Sequence, residues 1–407
     1  MGRQSDRVTP RTKFLIFGAI SIFGGFLFSI IALESIFRCL PVNEGLRTQS
    51  VTQNDPIMRF APNRTSIWSR GWDFSLVNRI RTNNYGFVSD IDYDPLSKTP
   101  LLAVIGDSYV EAAMMPYPKT GAAILGRSLE QKARVYSFAS SGSPLSQYLA
   151  YAAYARETFH PAGLVVVIVE NDFDESLLKY KNAPGFHYFT DDDQGKLILV
   201  RIDFEPTIWR KVVQRSALGM YLATNLQLEN LKTYLNGLIQ SFKSQHIAHA
   251  QSTVIAENTR ITDSKRAIDA FLSKLPSMSG LNPSQIVFAV DGNRRAIYGP
   301  EILQSSQEGY FEVMRHYFMT CALGGGFEVI DMQQEFSNHY KRHGQRFEFP
   351  NDSHWNPVGH EVFANAVQRS PVYRSVSCAN SSITLLPLRS EDSNQTGCLP
   401  TKASSRS

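Results

Sequence analysis

Residues 164–169, Leu-Val-Val-Val-Ile-Val, run without a polar side chain. A strand with that pattern has to be covered on both faces. Comparable short apolar runs at 101–105, 134–138, 285–290 and 327–331 are separated by amphipathic stretches. The alternation predicts parallel strands joined by helices, with helices over roughly 118–132, 145–158, 307–322 and 357–368. Pro118, Pro144 and Pro357 fall near helix starts, where a missing N–H costs nothing. The expected fold is therefore α/β. At 407 residues, 43% hydrophobic and 19% charged, the chain can bury such a core, and it is neither largely disordered nor wholly within a membrane.

Residues 14–33 carry no charge over twenty positions, the length that crosses a hydrocarbon core of about 30 Å as a helix. Arg3, Arg7, Arg11 and Lys13 precede the run, so residues 1–13 are expected in the cytoplasm and everything after the span outside it. The run ends in Ala32-Leu33-Glu34-Ser35 without a small-x-small site, which favours an uncleaved anchor at 14–37 over a removed signal peptide. The expected location is the periplasmic face of a bacterial inner membrane. A turn-rich stalk at 38–98, an α/β domain at 99–372 and a tail at 373–407 would follow. Within the domain, about 175–282 is too long for a simple crossover. It holds a hairpin pattern at 186–203 and helical patterns at 213–242 and 263–275, and reads as an insertion decorating the sheet.

The net charge of +4 is dispersed, so no nucleic-acid partner is expected. Cys39, Cys321, Cys378 and Cys398 form no C-x-x-C pair; a Cys378–Cys398 disulfide is expected in an oxidising compartment. His360-Glu361 is followed by Ala364 where a metalloprotease helix would need a second His, and no cofactor or metal is called for. Nothing in the sequence points to a protein partner.

Chemistry gathers at strand ends. Run 101–105 leads into Gly106-Asp107-Ser108, where Ser108 is either a presented nucleophile or the cap of the next helix. Run 134–138 leads into Ala139-Ser140-Ser141-Gly142-Ser143-Pro144, and run 164–169 into Glu170-Asn171-Asp172. Gly142 can bring an N–H close to a bound group, and Asn171 offers a neutral donor to a developing oxyanion. Late in the chain comes Asp352-Ser353-His354-Trp355-Asn356-Pro357, in which a carboxylate can fix the tautomer of an imidazole two residues on. Arg294, Arg295 and Tyr298 follow the fourth run and are either contacts for an anionic or sugar substrate or a solvated loop. His360, inside the last helical pattern, reads as a packing residue.

These four blocks, in this order, resemble the SGNH (GDSL-type) hydrolase family over about 100–370, the insertion excepted. The resemblance implies a flavodoxin-like three-layer sandwich. It makes Ser108 the nucleophile, His354 the base and Asp352 its orienter, with the Ser108 amide, Gly142 and Asn171 as oxyanion donors. In the commonest family pattern the acid lies three residues before the His, which here is Asn351; Asp352 matches a subgroup with an Asp-x-His-Trp ending. The implied activity is that of a serine esterase acting on ester-bearing substrates such as O-acetyl groups of cell-surface carbohydrate. An O-acyltransferase using the same site, and a non-catalytic polysaccharide assembly or export protein that retains the fold, are the alternatives.

Overall fold

The structure, a computed structural model, describes residues 10–226, 249–299 and 306–379. It divides into two units: Met1–Leu46 with Ser66–Arg79 and Pro206–Gln245, and Arg47–Thr65 with Ile80–Glu205 and His246–Ser407.

The second unit is built on a five-stranded sheet of β1 (Leu101–Gly106), β2 (Arg134–Ala139), β3 (Gly163–Ile168), β4 (Ile286–Val290) and β5 (Glu328–Asp331). All neighbours are parallel and the order is β2-β1-β3-β4-β5, that of the flavodoxin-like fold. Alternate residues divide the core in two. Leu101, Ala103, Ile105, Val166 and Phe288 face α2 (Leu145–Phe159), α3 (His249–Ser279) and α4 (Ser306–Gly324). Leu102, Val104, Val165, Val167 and Val287 face α1 (Gly121–Ser128), α5 (Met332–His343), α6 (Pro357–Gln368) and α7 (Pro371–Cys378). Each such Val, Leu, Ile or Phe side chain, fully buried, contributes about 1.5–3 kcal/mol.

Three sequence boundaries shift for physical reasons. Ile57, Phe87 and Tyr93, expected in a stalk, are buried in the core; the Tyr93 ring stacks on Tyr136 at 3.9 Å and its hydroxyl donates to Ser137 O at 2.8 Å. The end of the supposed insertion is α3, whose Ile268, Phe271, Leu272 and Leu275 enter the core as part of the crossover that a parallel β3–β4 pair requires. Its hairpin is His187–Asp191 with Leu197–Arg201, while residues 227–242 of the first helical pattern lie outside the described residues. The domain also continues past 372, because Val372, Tyr373 and Val376 of α7 are buried. Cys398, and with it the expected disulfide, lies outside the described residues.

The first unit contains the helix Pro10–Arg38, of which Phe14–Arg38 is long and apolar enough to span a membrane. Near its end Glu34 pairs with Arg38 at 2.8 Å.

Candidate active site

Parallel strands put their carboxyl ends at one edge, and the order places the switch point between β1 and β3, where the chain departs in opposite directions. Ser108 follows β1, Gly142 follows β2 and Asn171 follows β3. At the end of β1 Gly106 allows a close approach, since a Cβ there would lie 2.4 Å from Val110 Cγ2. Asp107 then caps the short helix Ser108–Glu111 by accepting from Tyr109 N at 2.9 Å.

His354 and Asp352 sit on Asp352–Trp355, a short strand antiparallel to Glu348–Phe349. Asn356 fixes its far end: the side chain caps α6 through Val358 N and Gly359 N and donates to Glu348 O at 3.0 Å. Ser108 Oγ lies 2.7 Å from His354 Nε2 and 3.2 Å from Asp107 Oδ2. His354 Nδ1 is hydrogen-bonded to Asp352 Oδ1, which also accepts from His354 N at 2.9 Å. The Asp352 side chain is fully buried and that of His354 is 19% exposed, whereas Asn351 is exposed on the turn. A carboxylate on Nδ1–H leaves Nε2 bare and aimed at the hydroxyl, the arrangement that takes a proton from serine.

The loop after β2 is held from two sides. Gly142 has φ +79°, a left-handed conformation that favours glycine, and its carbonyl accepts from Lys181 Nζ at 2.8 Å. Lys181 is paired with Glu175, whose Oε2 also accepts from Asn171 Nδ2 at 3.3 Å. Through that pair the loops after β2 and β3, with their two candidate oxyanion donors, keep a fixed spacing. From beneath, both carboxylate oxygens of Glu111 hold Ser141, accepting from its N–H at 2.8 Å and its hydroxyl at 2.9 Å.

Arg294 and Tyr298 turn inward. Arg294, with its side chain 10% exposed, is ion-paired with Asp291 and donates to Ser353 O at 2.6 Å and Tyr109 OH at 3.1 Å. Asp291, just after β4, accepts from Trp355 Nε1 at 3.1 Å as well. Arg294 and Asp291 thus clamp both sides of His354, the residues before and after it. Tyr298 donates to Glu348 Oε2 at 2.6 Å and accepts from Phe347 N at 3.1 Å, while Arg295 is exposed on the same short helix, Arg294–Tyr298. His360 is buried; Gly121 N donates to its Nδ1 at 3.0 Å, and burial pushes it down to about 3, so it stays neutral. Tyr109, Glu111, Glu175, Lys181 and Asp291 escaped the sequence reading, because the partners that define them lie distant in the chain.

Three buried carboxylates underlie the edge. Burial raises Asp107, against hydrogen bonds from Tyr109 and Ser108 and the charge of His354. Burial and the nearby Asp107 raise Asp172 well above the usual range, although it accepts from Val169 N and from Tyr148 OH, both at 2.8 Å. Glu111 is pushed up to about 7, chiefly by burial, with the Ser141 hydrogen bonds opposing. A raised carboxyl means that the folded state holds its proton more tightly than the unfolded chain. Its contribution to stability is then fully present below pH 4.5 and is lost as pH rises through about 7. Glu111→Gln keeps an acceptor for Ser141 N and removes the buried charge. Between about pH 5 and 8 the wild type is expected to lose about 3 kcal/mol more stability than this variant. Parallel thermal-denaturation profiles would show that Glu111 does not titrate in this window.

Among the described residues, no group of three His, Cys, Asp or Glu side chains is arranged to hold a metal ion. No family model matches the chain, and no curated protein does. Several solved structures align with it at low identity. An alpha/beta hydrolase enzyme, LAE5, from the metagenome of Lake Arreo, Spain, is 14% identical with a TM-score of 0.37, over 70% of this chain and 98% of that one. A member of the lipolytic protein G-D-S-L family from Veillonella parvula DSM 2008 is 10% identical with a TM-score of 0.34, over 66% and 95%. The acetyl xylan esterase AlAXEase is 12% identical with a TM-score of 0.35, over 66% and 97%.

Proposed function

We propose that this chain is a membrane-anchored serine esterase with Ser108 as nucleophile, His354 as base and Asp352 as the residue that orients it. The observation that carries this reading is the continuous hydrogen-bonded line from Ser108 Oγ through the His354 ring to the buried Asp352 carboxylate. His354 Nε2 takes the Ser108 proton as Oγ attacks an ester carbonyl. The oxyanion that forms is stabilised by the Ser108 amide, Gly142 N–H and Asn171 Nδ2. Collapse passes the proton from the imidazolium to the leaving alkoxide, and water, activated by the same imidazole, then releases the acid. The partial exposure of His354 supports water as the second nucleophile.

The uncharged span after a basic N-terminus supports placing this chemistry outside the cytoplasm, on the periplasmic face of a bacterial inner membrane. The ester within reach there is an O-acyl group, such as acetyl, on cell-surface carbohydrate. The direct test is a fluorophosphonate probe on the full chain in detergent, followed by peptide mapping. Labelling at Ser108 that an acetyl ester suppresses is the expected result. Labelling at another serine, or none, overturns the reading.

A further inference from the structure

We propose that Trp72, Ile208, Trp209 and Val212 form a collar that enters the interfacial layer of the same bilayer that the N-terminal helix crosses. All four large side chains are exposed to solvent, at 71%, 82%, 74% and 50% respectively. Ile208, Trp209 and Val212 lie at i, i+1 and i+4 on the short helix Ile208–Val213, so they share one side of it. Water is a poor environment for such a group, and its place beside the helix identifies the better one.

The twenty-residue uncharged run ends at Leu33, which sets Glu34 at the hydrocarbon boundary. Glu34 accepts from Ser216 Oγ at 2.8 Å, Ala217 N at 3.1 Å and Leu218 N at 3.0 Å, and Arg38 donates to Arg215 O at 3.1 Å. The segment after Val213 is therefore fastened to the mouth of the span. Only Gln214 and Arg215 lie between Val213 and Ser216, a reach of at most about 11 Å. Trp72 is tied to the same place. Its carbonyl accepts from Tyr221 OH at 2.9 Å, and the Tyr221 ring stacks on Phe37 of the spanning helix at 4.2 Å.

Tryptophan is the side chain best suited to this layer, with an apolar body and one N–H for the headgroup region. Arg210 and Lys211, between the apolar positions, suit anionic headgroups. Lipid, and not a protein, is the occupant because the segments that carry the patch are tethered to the end of a helix whose exposed apolar surface already calls for a bilayer.

The test uses the full chain in phosphatidylcholine–phosphatidylglycerol vesicles whose lipids carry bromine high or low on the acyl chain, with tryptophan emission read alongside flotation in alkaline carbonate. The remaining tryptophans, Trp68 and Trp355, are half-buried and buried. High bromine is expected to quench about twofold more than low bromine, as for groups held near the headgroups. The double variant Trp72→Phe, Trp209→Phe should float equally, keep its turnover of a small soluble ester, and lose most of the quenching. A chain that floats without quenching overturns the collar and leaves the anchor standing. If those unquenched tryptophans accompany a dimer in the vesicles, the patch belongs to a second copy, and the collar is again overturned. Failure to float would overturn the anchor and the collar together.

Discussion

Ser108→Ala is expected to reduce turnover of a small acetyl ester by a factor on the order of 10⁶, to the background rate, while the protein stays folded. The hydroxyl lies between Asp107 and His354 and is part of no apolar cluster, so its loss removes about 0.5–1.5 kcal/mol of hydrogen bonding. His354→Ala should lose a comparable factor, since Nε2 is the acceptor that makes the hydroxyl a nucleophile. The two changes together should cost little more than either alone, because nucleophile and base act as a unit. Steady-state rates on the three variants, with thermal denaturation as the control for folding, decide the matter. A Ser108→Ala protein that retains a tenth of wild-type turnover would remove serine catalysis from the account.

Asp352→Asn is expected to lower kcat by about 10⁴ with little change in KM. Asp352 Oδ1 receives two hydrogen bonds from one residue, the ring Nδ1–H and the backbone N–H of His354. An amide can keep the backbone bond through its oxygen. Turned over, at the cost of that bond, it offers its NH₂ to Nδ1, which stabilises the tautomer protonated on Nε2 and leaves Ser108 with no base. Asn351→Ala should be close to silent, since Asn351 is exposed on the turn. The pair of variants separates two neighbouring residues by four orders of magnitude, and damage greater at Asn351 than at Asp352 would reassign the acid.

The strands were legible because most are short, mainly apolar runs between amphipathic stretches: 164–169 has no polar side chain to turn to solvent. Ser108 and the Asp352–His354 pair were legible for a related reason, as each block joins reactive side chains within three residues of a strand end or a helix start. Glu111 was not. In the sequence it is one more acidic residue of a short helix, and its weight comes from Ser141, thirty residues away across the edge of the sheet. Lys181 and Glu175 gain their meaning only when the fold brings Gly142 and Asn171 to them. In the sequence Arg294 is either a substrate contact or part of a solvated loop. Asp291 and the carbonyl of Ser353 give it a different occupation, which no local pattern could reveal. Tyr93 similarly looked like part of a linker because its cover, Tyr136, comes from the far side of β1.

Ser108 and His354, the proposed nucleophile and base, stand 246 residues apart in the chain, and His354 arrives on one of the last elements to be made. At a synthesis rate of about 5–20 residues per second, roughly 12–50 s separate the appearance of Ser108 from that of His354. Throughout that interval the serine is an ordinary alcohol, however complete the sheet beneath it. A nascent or C-terminally truncated chain that stops short of Asp352–Trp355 therefore has no competent nucleophile to present to esters in its surroundings. On the proposed mechanism, completion of the polypeptide is itself the activation step.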